Sequence, residues 1–184
     1  GYMGTCRDIT ERIEAASEIQ RQNQRLALLY QVTTTAATST SMVDIFEMLC
    51  EELAKALDLP QATATVIQAG SNRAIVIAEY LQPGRPSALG MAFTIDDSEV
   101  NKYLMTHKHP LYIANAQTDP KMGVAREQMR ARGTVALLIV PIVVRGRIIS
   151  ILGLDDIHPR VFTSEEMSMI QSAVAAAGQA LESL

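Results

Sequence analysis

The chain has no tryptophan, two cysteines and three histidines, and aromatic residues make up 4% of it. Each shortage removes a class of function. Cys6 and Cys50 stand far apart, so they form neither a metal-ligand spacing nor a disulfide framework, which suits a reducing compartment. His107, His109 and His158 are not paired with cysteine and lack the spacing of a helical metal pair. Only His107-Lys108-His109, if extended, could hold a metal, and weakly. There is no glycine-rich phosphate loop. Lys plus Arg number 16 against 20 Asp plus Glu, a net charge of −4, whereas a general nucleic-acid binder shows a basic excess. The longest apolar run, Val135 to Val144, is about half of the roughly 20 residues that a membrane span needs. Arg7, Asp8, Glu11 and Arg12 interrupt the first residues, so no apolar signal region opens the chain. The expectation is a cytoplasmic segment with no catalytic residues, no metal, and neither nucleic acid nor membrane as a partner.

What is present is enough apolar material for a core: 48% of 184 residues, the size of one domain with extensions. The organising stretch is Thr134 to Leu154, two Val/Ile/Leu runs joined by Arg145-Gly146-Arg147. β-Branched residues favour extended backbone, and Gly146 supplies a tight turn. The runs barely alternate, which predicts a hairpin covered on both faces. Pro141 cannot donate to a ladder and predicts a bulge or an edge position.

Other elements follow from local signals. Ser41 caps a helix whose apolar stripe runs from Ile45 to Leu57 and stops before Pro60. Cys50 lies in that stripe and reads as a buried, inert thiol. Residues 61–68 and 73–81 read as a hairpin, 90–95 as a strand, 97–106 as a short helix, 111–114 as a strand, and 122–132 as a helix closed by Gly133. Asp155 and Asp156 fall in a polar connection. Thr163-Ser164-Glu165-Glu166 is a capping box opening a terminal helix. The basic run Lys121, Arg126, Arg130 and Arg132 reads as a solvated face, or alternatively as a lid contacting an anion. The order of elements says α+β, with helices packed on a central, largely antiparallel sheet.

Residues 9–32 contain no glycine or proline and place Ile9, Arg12, Ala16, Ile19, Asn23, Leu26 and Tyr30 at alternating spacings of three and four, as a two-stranded coiled coil requires. The terminal helix repeats the pattern with Met167, Ile170, Val174, Ala177, Leu181 and Leu184, and a second stripe runs beside it through Met169, Ala173, Ala176 and Ala180. A symmetric homodimer is expected, with Ile19, Asn23, Leu26, Ile170, Val174 and Leu181 near its seam.

Two resemblances follow. Val140-Pro141-Ile142, Arg145-Gly146-Arg147, Ile148 to Leu154 and Phe162-Thr163-Ser164-Glu165-Glu166 resemble the C-terminal half of a GAF domain, and about residues 42–182 fit that family's order of elements. Gly4-Thr5-Cys6-Arg7-Asp8-Ile9-Thr10-Glu11-Arg12 resembles the last strand of a PAS domain and the junction that launches the following helix. Residues 1–8 then read as the remnant of an upstream PAS-like domain, 9–40 as a linker helix, and 41–184 as the GAF-like domain. The resemblance implies a GAF/PAS-like sheet with long terminal helices, in a small-molecule-sensing and dimerising unit of a two-component-type signalling protein, a sensor histidine kinase or response regulator. An upstream PAS domain and a downstream output domain would lie in cis. By the same analogy a pocket lies between the sheet and residues 95–132, with Phe93, Tyr103, Leu104, Tyr112, Met122 and Met129 either lining it or filling the core. No cysteine follows Cys50, so covalent bilin attachment is not expected, and the cofactor is left open. The other readings are a purely structural dimerisation module and a small enzyme on this fold.

Overall fold

From Thr5 to Leu59 the chain has neither glycine nor proline, and helix fills almost all of that length. The computed structural model describes residues 3–38 and 41–184, and the side chains of 12–31 and 41–184. Helix α1 is Met3–Thr38. The strand expected before Asp8 is replaced by helix: Met3 to Arg7 already belong to α1. An unpaired extended segment leaves its amides and carbonyls unsatisfied, whereas a helix satisfies them along its own axis. Gly1 and Tyr2 lie outside the described residues, as do the side chains of Cys6 and Ile9.

Ser41 is extended, and its hydroxyl accepts the Val43 amide to start helix α2 (Met42–Ala56). The apolar stripe read from the sequence is the buried face: Ile45, Phe46, Leu49, Cys50, Leu53 and Ala54. Strands β1 (Gln61–Ile67), β2 (Arg73–Leu81) and β3 (Ala92–Thr94) follow. Helix α3 (Glu99–His107), capped by Ser98, leads to strand β4 (Leu111–Ile113). The helix expected over 122–132 is two pieces. A 3-10 segment, Pro120–Ala125, precedes helix α4 (Arg126–Arg132), and Gly123 at φ 44°, ψ −120° breaks the helical path between them. Strands β5 (Ala136–Val144) and β6 (Arg147–Asp156) form the central hairpin, and helix α5 (Ser164–Glu182) closes the chain.

The six strands form one antiparallel sheet in the order β3-β2-β1-β6-β5-β4. At the β5–β6 turn Arg145 and Gly146 both have positive φ, 49° and 74°, as a two-residue hairpin loop with the strand's own twist requires. β4 pairs only with Leu137 to Ile139, so Pro141 stands where β5 has no neighbour on that side, and the register shifts at Ile142/Val143 just beyond it. Pro141 thus occupies a local edge beside a bulge.

Alternate residues of β5 and β6 enter two separate cores. Leu138, Val140, Ile142, Leu152 and Leu154 pack with α2 and α5, while Leu137, Ile139 and Ile151 face α3, β4 and Met122. Two covered faces explain why these runs do not alternate polar with apolar. α1 joins the first layer through Leu28, which is buried, and packs against α5 and α2. Arg21 reaches Glu165 at 3.3 Å and Arg25 reaches Ser172 at 3.1 Å, so α1 and α5 run in the same direction.

The expected dimer seam divides. Ile170, Val174 and Leu181 are in the core against the sheet and are closed to a partner. They follow the helical period because they face this chain's own strands. Ile19 and Leu26 are about 60% exposed (60% and 63%), and Asn23 is exposed with them.

Candidate functional site

The sheet face opposite α2 and α5 is not completely filled. Between it and the segments 88–101 and 122–132 lies a cavity of about 260 Å³. β1, β2 and β6 supply its floor through Thr63, Thr65, Val76, Ile151 and Gly153. Gly153 keeps that floor low: a Cβ there would come within 2.9 Å of the Thr63 hydroxyl and 3.4 Å of Asp155 Oδ1. A glycine inside a strand marks this kind of close approach. Val100, Met122, Met129, Leu137 and Ile139 give apolar walls, and Phe93, Asp97 and Gln128 also line it.

One end of the floor is charged. Asp155 and Arg132 both line the cavity and are 3% and 6% exposed. Asp155 Oδ2 accepts hydrogen bonds from Gln61 Nε2 and Thr134 Oγ1, both at 3.1 Å, and Arg132 Nη2 stands 3.8 Å from it. Burial pushes the Asp155 carboxyl above the ordinary aspartate range, opposed by the Arg132 charge, by the Thr134 and Gln61 hydrogen bonds and by Arg85. Arg132 Nη1 donates to the Pro86 carbonyl at 3.2 Å, but Nη2 is buried without a hydrogen-bond partner. Arg85 donates to Gln61 Oε1 and to the Arg132 carbonyl, tying the loop after β2 to the end of α4.

Of the six residues expected to line a pocket, Phe93, Met122 and Met129 wall this cavity. Tyr103, Leu104 and Tyr112 are elsewhere. Leu104 is fully buried in the second core. Tyr103 stacks on His107 with ring centroids 4.3 Å apart. Tyr112 lies at the outer edge on β4, its hydroxyl donating to the Arg160 carbonyl at 2.5 Å and its ring meeting Phe162 edge-on at 6.2 Å. Tyr103 and Leu104 share the second core with Met122 and Met129, and helical period alone does not say which residues of one core border its cavity.

Of the polar residues at this end, the sequence offers only Arg132, within the basic run, as an alternative anion contact. Asp155 and Asp156 close β6 rather than forming a loop, and both are buried. Asp156 turns away from the cavity, toward Arg160 at 3.5 Å, and Arg160 in turn pairs with Glu166 at 2.6 Å. The basic run does not form one solvated face. Arg126 and Arg130 donate to the carbonyls of Asp119 and Gln117, while Arg132 is buried. The available signal was an arginine immediately before the glycine that closes a helix, followed by an acidic pair ending an apolar strand.

No group of histidine, cysteine and carboxylate side chains among the described residues could hold a metal ion. Cys50 lies in the opposite core, where burial above all pushes its thiol far above the usual range, so it is inert. No described helix is long and apolar enough to cross a membrane.

Similar folds occur among solved structures. The phycocyanobilin-bound GAF domain of a cyanobacterial phytochrome superposes with a TM-score of 0.75 at 19% identity, over 86% of this chain and 94% of that one. The GAF domain of an Acinetobacter phosphoenolpyruvate-protein phosphotransferase gives 0.67 at 15%, over 85% and 92%. The chromophore-binding domain of an R. palustris bacteriophytochrome gives 0.70 at 15%, over 85% of this chain and 61% of that one. A comparison with curated proteins returned no match. The GAF domain family model matches residues 41–181, most of the chain and all six strands, so the chain belongs to the GAF domain family.

Proposed function

We propose that this chain is a regulatory GAF domain that senses a small molecule in a multidomain signalling protein and acts as a homodimer. The cavity carries the reading. It lies between the sheet and the segments 88–101 and 122–132, and it combines apolar walls with a charged end, the usual composition of a small-molecule site. Its volume is just below the roughly 300–1,000 Å³ common for such sites, which favours a small ligand. A covalently held bilin is not part of the proposal, since Cys50 is the last cysteine and belongs to the other core.

The parallel arrangement of α1 and α5 supports a role in transmission. An element preceding α1 and one following α5 would lie at opposite ends of the helical layer, so a shift of α1 can be passed along α5. A PAS domain upstream and an output domain downstream, in a sensor histidine kinase or response regulator, accord with that geometry and with the sequence resemblance. A thermal-shift screen against nucleotides, amino acids and tetrapyrroles tests the sensing role. A ligand raises the melting temperature progressively with its concentration. Met129→Trp, which places a large ring in the cavity, is expected to abolish that response while the domain stays folded. An unchanged response would put the site elsewhere.

The exposed stripe of α1 gives specific support to a second reading, a dimerisation module without ligand. It is distinguished by a screen in which nothing stabilises the protein.

A further inference from the structure

The charged end of the cavity is not electrically balanced. Arg132 is 6% exposed, and its Nη2 atom has no hydrogen-bond acceptor. The single buried carboxylate beside it, Asp155, stands 3.8 Å away and has the same oxygen occupied by Gln61 and Thr134. A second guanidinium, Arg85, is anchored to Gln61 and to the Arg132 carbonyl, and its charge also reaches Asp155. Arg85 has no ion pair of its own among the described residues. Two cations thus stand around one buried anion, Arg132 lining the cavity and Arg85 held just outside its lining. Asp97 is exposed at the rim, where water screens it.

A buried donor left without an acceptor costs free energy that a bound acceptor recovers, more so when the group is charged. We infer that the ligand of this cavity is a small organic carboxylate with an apolar body, its carboxylate accepting a hydrogen bond from Arg132 Nη2. This rests on the sensing role proposed above and names the chemistry of its ligand. The charge count favours a monoanion: one negative charge restores balance, whereas a phosphate monoester would bring a further charge beside Asp155. Beyond the charged end, Val76, Val100, Met129 and Ile139 offer apolar contact, and Thr65, Asn101 and Gln128 add polar edges, so the body of the ligand is mainly an alkyl chain or a single ring.

The test uses the full chain and matched probes: short straight-chain carboxylates and 3-phenylpropanoate, their primary amides, and an alkyl phosphate. Binding is followed by thermal shift and calorimetry. At least one carboxylate is expected to bind, with its amide and the phosphate weaker by about tenfold or more, and Arg132→Gln is expected to weaken it by a similar factor. If Arg132→Gln does not fold, Arg132→Gln combined with Asp155→Asn removes both charges together, and the same loss is expected. Equal binding of acid and amide, or affinity unchanged by the arginine variants, overturns the carboxylate assignment; loss of that binding in Met129→Trp would still uphold the cavity as a sensor site. Carboxylate binding that survives Met129→Trp overturns both. Failure of every probe overturns the carboxylate assignment alone, because the metabolite screen judges the sensing role independently.

Discussion

Asp155 shows how a single residue carries opposing forces. Burial raises its pKa more than Arg132 and the hydrogen bonds lower it, so the folded protein keeps the proton at pH values where the unfolded chain, near the ordinary value of 3.8, has lost it. Over that window the native state binds more protons, and stability falls as pH rises. The contribution is complete below 3.8 and is lost as pH rises through the folded-state value. Asp155→Asn removes it and leaves other titrations common to both proteins. The expected outcome, from urea unfolding at successive pH values, is a stability advantage of wild type over Asp155→Asn that shrinks upward from 3.8 and then levels. A gap that widened with pH would show that attraction to Arg132 exceeds the cost of burial.

At the scale of the element, local chemistry decides where helices begin. Thr163 accepts the Glu166 amide at 3.2 Å, while Glu166 accepts the Thr163 amide at 2.7 Å, the reciprocal pair read from the sequence. The same glutamate pairs with Arg160, whose guanidinium lies 5.1 Å above the Phe162 ring. Thr163→Ala is expected to lower unfolding free energy by about 1 kcal/mol, measured by urea denaturation, with ligand response and oligomeric mass unchanged. A loss several times larger would mean that the Arg160 and Phe162 contacts depend on the cap. Helix α4 shows the limit of such signals. Gly133, at φ 66°, ends it as expected, but the break at Gly123 was not legible, because an isolated glycine is tolerated within many helices.

For the whole molecule, the unsettled surface is α1. Apart from Leu28 and Leu29, its side chains from Arg12 to Gln31 are exposed, and they include Ile13, Ile19 and Leu26. A helix exposing this apolar stripe is suited to pairing with a second copy along Ile19, Asn23 and Leu26, with a polar Asn at an inner position setting register. Leu26→Asp is expected to halve the mass measured by light scattering without lowering the melting temperature of the domain. Val174→Asp is expected to do something different: Val174 is 8% exposed in the core, so a buried unpaired charge there would unfold the domain rather than separate the copies. An unchanged mass for Leu26→Asp at all concentrations would remove the α1 seam.

Period, caps and turn residues were enough to place most of the elements and the α+β class, because these are set by interactions a few residues apart. Ser41, Thr163, Gly133 and Arg145-Gly146 act where they stand. The sequence could not assign each apolar residue to its layer. Ile170 and Leu26 carry the same periodic signal, yet one faces β-strands and the other solvent. Nor could it bring Gln61, Arg85, Arg132, Thr134 and Asp155 together. Their meeting depends on β1 pairing with β6 and on the loop after β2 folding back to the end of α4. Contacts across so many intervening residues follow from strand order, which only the packed sheet decides.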